Sequence, residues 1–395
     1  MDITISTIRR GKKAARQLTG TASLDGAASP GTVSLDIKAL ADATPPERER
    51  VIDFVRVAAI SVVVLWHWVF SITQWNRSGQ LIMPNLISHV PALWLATWLL
   101  QIMPLFFVVG GYSNLASWQG VQRRGQGTYS FWKRRLRRLL RPAVALAAVW
   151  GLVDVLAITA GGQSANVLHW GMVTFVPLWF LGTYAGVILL VPVTARLHER
   201  FGLAVPAVLA SAMLIAGRGY VTTLLVWIFA HQLGYFWRDG RTSRKGRSTE
   251  LKAALALSGF GIASLALLTT IGGYPQSMVA TDGEHFSNMF PTTICIAALS
   301  VLQFGLILLF RPALDRWLQR RHIWRLVVAA NAIAMTIFCW HMTALIIVII
   351  SFGALGGHLL SEPTSAWWIW RPFWLIAPGV VLVGLVAIFS RIERS

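Results

Sequence analysis

The sequence predicts an all-α polytopic membrane protein of about ten transmembrane helices, with the N and C termini both cytoplasmic. Three observations carry that expectation. Of 395 residues, 55% are hydrophobic and only 13% charged. A soluble domain places about a quarter charged residues on its surface, so lipid must cover much of this one. Apolar stretches recur near 52–72, 91–116, 142–160, 172–193, 202–217, 219–237, 252–272, 292–310, 326–352 and 372–390, most of them close to the ~20 residues that cross a bilayer. With a cytoplasmic N-terminus, 31 of the 35 Lys and Arg fall on inner segments, and the outer connections hold only Arg77, Arg218 and Arg371. That is the asymmetry of the positive-inside rule.

The elements follow in order. Residues 1–49 are rich in Gly, Ala, Ser and Thr without a sustained apolar period, and read as a disordered basic cytoplasmic arm. Its cluster Arg9, Arg10, Lys12, Lys13 and Arg16 acts as a topology determinant or touches anionic headgroups. Residues 50–392 form one transmembrane domain. The stretches 202–217 and 219–237 are split only by Gly217-Arg218-Gly219 and read as two spans, a hairpin or one re-entrant element. The largest outer connection, near 273–291, holds Asp282, Glu284 and His285, an ordinary solvated connection or a contact for a substrate. No cleavable signal peptide opens the chain, because the first apolar run begins near Ile52. The net charge of +19 is accounted for by topology, so no nucleic-acid partner is expected. Cys295 and Cys339 lie in apolar runs and do not suggest a disulfide. No ligand spacing on one helix suggests a metal.

Four local patterns carry chemistry. Arg56 and His67 stand in the first span, where an ionisable group costs about 2.5–3.5 kcal/mol on insertion scales. Eleven residues are three turns and ~20°, so both side chains share a face about 16 Å apart along the axis. A long substrate with an anionic head at Arg56 and a reactive end at His67 fits that layout. A snorkelling arginine and a histidine bonded to a neighbouring helix fit it equally. The segment Tyr129–Pro142 holds Arg134, Arg135, Arg137, Arg138 and Arg141 beside Lys133. Arg135, Arg138 and Arg141 recur every three residues, on one helical face able to grip phosphate; two or three arginines would already set topology. Pro104 and the pair Gly110-Gly111 interrupt a span, which points to a cavity lining or a close helix contact. His341 is a second histidine within a span, and a lone buried His is more often a satisfied core residue than a catalyst.

In order along the chain these patterns resemble the membrane acyltransferase-3 family. The first helix of that family runs approximately Arg, a short gap, Asp-x-x-Arg, small residues, then His, here Arg50, Asp53, Arg56, Ala58, Ala59 and His67. The family's Pro-x-Phe-Phe-x-x-Ser/Gly-Gly break is similar to Pro104 through Gly111. Its Phe…Arg-Arg-x-x-Arg-x-x-Pro segment is similar to Phe131 through Pro142. Its Leu-Trp-Phe-Leu run stands at Leu178-Trp179-Phe180-Leu181, and its late Tyr-Leu-x-His element resembles Phe338-Cys339-Trp340-His341. Gly110 stands where Ser is common, and the arginine cluster has more members than the pattern.

The resemblance covers about 50–390. It implies a transferase that uses acyl-CoA, acetyl-CoA among the options, as co-substrate with no tightly bound cofactor. It implies His67 as the catalytic base, and Arg56, Arg135 and Arg138 as donor-binding residues; Asp53, Trp179 and His341 are supporting candidates. The acceptor expected is a hydroxyl of an envelope glycan, a glycolipid or other lipid-linked acceptor, or a small hydrophobic molecule, with membrane lipid as the surroundings. The expected location is a bacterial cell membrane. The alternative is a secondary transporter or exporter, weakened because Asp53 and Asp154, the carboxylates bordering the spans, lie near span ends. No oligomeric state follows from the sequence.

Overall fold

The computed structural model describes residues 37–394 apart from 46, 78, 161–172, 176–177, 241–246 and 282. The expected arm over 1–49 thus lies outside the described residues as far as 36, as does Asp282. From residue 37 the chain has definite structure. Helix α1 (Ile37–Asp42) precedes α2 (Arg50–Val69), a short hairpin β1 (Gln74–Trp75) and β2 (Leu81–Ile82), α3 (Trp94–Leu100), α4 (Met103–Arg123), α5 (Thr128–Thr159) and α6 (Trp179–Phe201). Then come α7 (Ala204–Ala216), α8 (Tyr220–Arg238), α9 (Arg247–Thr270), α10 (Ile294–Leu318), α11 (Arg321–Ala332), α12 (Ala334–Ala354), α13 (Ser365–Ile369) and α14 (Arg371–Arg394).

Each of the ten apolar stretches is mainly helical over its described residues. Among the described residues, eight segments are long and apolar enough to cross a membrane. The other two are α7 and α8. Thirteen residues of α7 rise only about 20 Å, short of the ~30 Å hydrocarbon core. Helix α8 has 19 residues but carries His231, Gln232 and Arg238. The stretch read as one span over 326–352 is divided at Ile333 into α11 and α12, because α11 is amphipathic, with Trp324 and Val327 buried and Arg321, His322 and Arg325 on its polar side.

Side chains from both ends of the sequence seat the start of α2. Arg311 Nη2 pairs with Glu49 at 2.7 Å, and Arg50 Nη1 donates to the Leu318 carbonyl at 2.8 Å. Burial pushes the Glu49 carboxyl up from its ordinary value, against the pull of Arg311. Trp324 Nε1 donates to Thr44 Oγ1 at 2.9 Å, tying the α1 segment to α11. These contacts fix the rotation of α2, and so the directions in which Arg56 and His67 point.

Pro104 stands in the first turn of α4, where its missing N–H is one the helix would leave unbonded anyway. The interruption falls just before it, at Gln101 and Ile102. The paired glycine further on has a different task. A Cβ on Gly111 would lie 1.9 Å from the His231 carbonyl oxygen, and one on Gly234 would lie 2.0 Å from that of Val108. Helices α4 and α8 therefore touch backbone to backbone.

Candidate active site

Two cavities lie along α2, one reached by His67 and the other by Arg56. The first has a volume of about 490 Å³ and is lined by His67, Trp66, Met103, Trp179, Phe338 and Met342, among others. The second has about 110 Å³ and is lined by Arg56, Arg135, Arg138, Tyr184 and Asn331, with Phe106 and Gly110. Both draw on α2, α4, α6 and α12. One turn separates Met103 from Phe106 on α4, and Met335 from Phe338 on α12, so the cavities are neighbours along the bundle axis.

At the larger cavity, His67 Nδ1 stands 3.0 Å from His341 Nε2. His341 is fully buried, and its Nδ1 stands 2.6 Å from the Phe338 carbonyl oxygen. A carbonyl only accepts, so His341 Nδ1 carries a hydrogen. In the neutral ring Nε2 is then bare and accepts from His67 Nδ1–H. His67 Nε2 is left with its lone pair for an occupant of the cavity. His341 is thus a satisfied buried residue, and the group it satisfies is His67.

At the smaller cavity the arginines meet. Helix α5 runs unbroken through Pro142 for 32 residues, about 48 Å. The arginine cluster is therefore part of the same rod as the apolar span that follows it. Arg135 and Arg138 line the cavity with Arg56. Arg134 instead donates to Gln126 Oε1 at 3.0 Å, and neither it nor Arg141 is among the lining residues. Arg56 Nη2 donates to Ser113 Oγ at 2.8 Å, and its Nη1 to Asn331 Oδ1 at 3.2 Å and Asp53 Oδ1 at 3.1 Å. Asp53 also takes a two-pronged bond from Arg48, at 2.6 and 3.1 Å. Its arginine partner on the N-terminal side is thus Arg48, while Arg50 turns to the Leu318 carbonyl and lies over the Trp324 ring at 4.8 Å.

Tyr184, Ser113 and Asn331 are members of this site that the sequence reading missed. Asn114 Nδ2 donates to the Tyr184 hydroxyl at 3.3 Å and stands 3.0 Å from His231 Nε2, and the Arg135 guanidinium lies against the same hydroxyl. A Cβ on Gly110 would sit 2.5 Å from that oxygen. Glycine at 110, where Ser is common in the family pattern, is what leaves room for the tyrosine. Its signal in the sequence was that one departure.

An aromatic layer separates the cavities. Phe180 packs edge-on against Phe106 at 4.8 Å and against Phe338 at 5.8 Å. Trp179, the next residue back, lines the larger cavity. The Leu178–Leu181 run so contributes one ring to a cavity wall and one to the partition. Glu284 and His285 are exposed and line neither cavity.

The acyltransferase domain of the acyltransferase-3 family matches residues 50–390. The chain belongs to that family and is a membrane-integral member of it, with eight membrane-length apolar helices among the described residues. Comparison with curated proteins and with solved structures returns no match.

Proposed function

We propose that the protein moves an acyl group from acyl-CoA to an acceptor hydroxyl, with His67 as general base and Arg56, Arg135 and Arg138 holding the anionic end of the donor. The observation that carries this reading is the pair of adjoining cavities: three arginines line one, and a histidine with a bare ring nitrogen reaches the other. An acyl-CoA has phosphates at one end and a thioester at the other, joined by an extended arm. Phosphates at the arginines put the thioester toward His67, past the Phe106–Phe180–Phe338 layer.

The step is then as follows. The acceptor hydroxyl gives its proton to His67 Nε2, and its oxygen bonds to the thioester carbonyl carbon. The carbon–sulfur bond breaks with its electron pair on sulfur. The CoA thiolate takes the proton from the imidazolium and leaves as the thiol, and the acceptor carries the ester. His341 Nε2, accepting from His67 Nδ1–H, orients the ring and stabilises the imidazolium between the two transfers, the part a carboxylate plays in a serine-protease triad. Asp53 holds Arg56 in place, and Tyr184 holds Arg135. Trp179 walls the reacting end. No tightly bound cofactor enters this scheme, and the setting proposed is a bacterial cell membrane with both termini inside.

The test is thioester consumption by the purified full-length protein in lipid nanodiscs, wild type beside His67→Ala, with an envelope lipid extract as acceptor source. Free CoA with a labelled acylated product, lost in the variant, is the expected result. Full turnover by folded His67→Ala would overturn the assignment.

A further inference from the structure

The larger cavity is more specific about the acceptor than the reaction is. Among the described residues that line it there is no Asp, Glu, Lys or Arg, and the side chains with hydrogen-bonding groups are His67, Ser71, Asn85, Gln101 and the indoles of Trp66 and Trp179. Most of these are committed to the protein itself. Trp66 Nε1 donates to Asn85 Oδ1 at 3.1 Å, and Asn85 Nδ2 donates to the Ala280 carbonyl at 2.7 Å. Gln101 Nε2 points at Met289 Sδ at 3.3 Å, and its Oε1 accepts from the Met103 backbone at 3.3 Å. Asn85 and Gln101 thereby brace the segments that close the cavity and have little left to offer a ligand. Among the described lining side chains, what remains is one base, one serine hydroxyl and one indole N–H.

The rest of the described lining is apolar, and four of the chain's nine methionines are in it: Met83, Met103, Met289 and Met342. Unbranched, polarisable thioethers adapt to the outline of an apolar guest. Among the described lining residues, a sugar placed here would lose the water on most of its hydroxyls and gain few partners in return, and an anionic acceptor would meet no counter-charge.

Resting on the proposed reaction, we infer that the acceptor is an uncharged, largely apolar molecule with one or few hydroxyls, a lipid-type alcohol rather than a glycan or a phosphorylated sugar. The apolar body fills the methionine-lined wall and the hydroxyl meets His67.

Binding and transfer can be read separately on the full-length protein in nanodiscs. Without donor, the unfolding midpoint is measured with decan-1-ol, with a neutral chitotriose and with glucose 1-phosphate, on wild type and on Met103→Trp and Met289→Trp, which fill the cavity from two sides. Decan-1-ol should raise the midpoint of the wild type and lose that effect in the filled variants, whichever of the two folds. The two sugars should leave it unmoved. With acetyl-CoA added, transfer to decan-1-ol should exceed transfer to either sugar at least tenfold. Binding or transfer of a sugar equal to that of the alcohol would overturn the inference. So would an alcohol effect that survives in both filled variants. Cavity-dependent alcohol binding without any CoA release would uphold the apolar site and count against the acyl-transfer reading alone.

Discussion

The two cavities share four helices and differ in almost everything else. One is large, with a lining that is apolar and uncharged among the described residues and a histidine pair at its edge. The other is small and lined by three guanidinium groups, of which Arg56 is held by Asp53, Ser113 and Asn331 and Arg135 by Tyr184. On the proposed reading, the difference is one way in which a bundle separates chemistry from recognition. A proton acceptor is best kept where water is scarce, whereas a phosphate grip needs fixed charge and donors in a planar fork. Placing the two on one face of α2, eleven residues apart, lets a rigid rod set the distance between them.

That contrast predicts different kinetic losses from the two ends. The largest belongs to His67→Ala, which should lower turnover by about 10²–10⁴ with the donor KM little changed, read from CoA release. A rise in donor KM with turnover intact would mean that the histidine end recognises rather than reacts. Arg135→Ala should do the reverse, raising the donor KM by about 10–100-fold for the loss of charge-assisted bonds worth roughly 1.5–3 kcal/mol. Arg135→Lys should recover part of it, since charge returns without the fork.

His341→Ala sharpens the comparison from the apolar side. It should cost about tenfold or somewhat more in turnover, near the ~1.4 kcal/mol that a tenfold rate change represents, and leave donor KM alone. His341→Gln, whose amide oxygen can accept from His67 Nδ1–H, should regain part of the loss. Equal losses in both variants would assign His341 to packing only. The smallest effect expected is that of Gly110→Ser. Its Cβ must displace the Tyr184 ring, so donor KM should rise a few-fold while the histidine end is untouched, and Gly110→Ser with Tyr184→Phe should add little to either alone.

Much of the fold was legible because the bilayer imposes simple rules. Apolar runs of membrane length become helices since backbone groups must bond within the segment, and the run 128–159 did so despite its arginines and Pro142. Less legible were the limits. The sequence left 202–217 and 219–237 open as two spans, a hairpin or one re-entrant element, and the structure bounds α7 at thirteen residues, too short to cross. The division of 326–352 at Ile333 depends on Trp324 and Val327 finding a buried surface. Residues 37–49, read as part of a disordered arm, include α1 and the anchors Thr44 and Glu49, whose partners Trp324 and Arg311 lie far along the chain.

The site divides the same way. The sequence alone determined that Arg56 and His67 share a helix face and lie about 16 Å apart, because helical period and rise are local properties. It also determined the membrane class, and through ordered motifs the family. The resemblance pointed to Arg135 and Arg138, but only the tertiary structure set them, and neither Arg134 nor Arg141, in one cavity lining with Arg56. The same holds for the bond between His341 and His67 and for the wedge of Tyr184 into the space left by Gly110. Those pairings join residues as many as 274 positions apart. They are set by the order in which helices pack and by the rotation of each about its own axis, which no local period encodes.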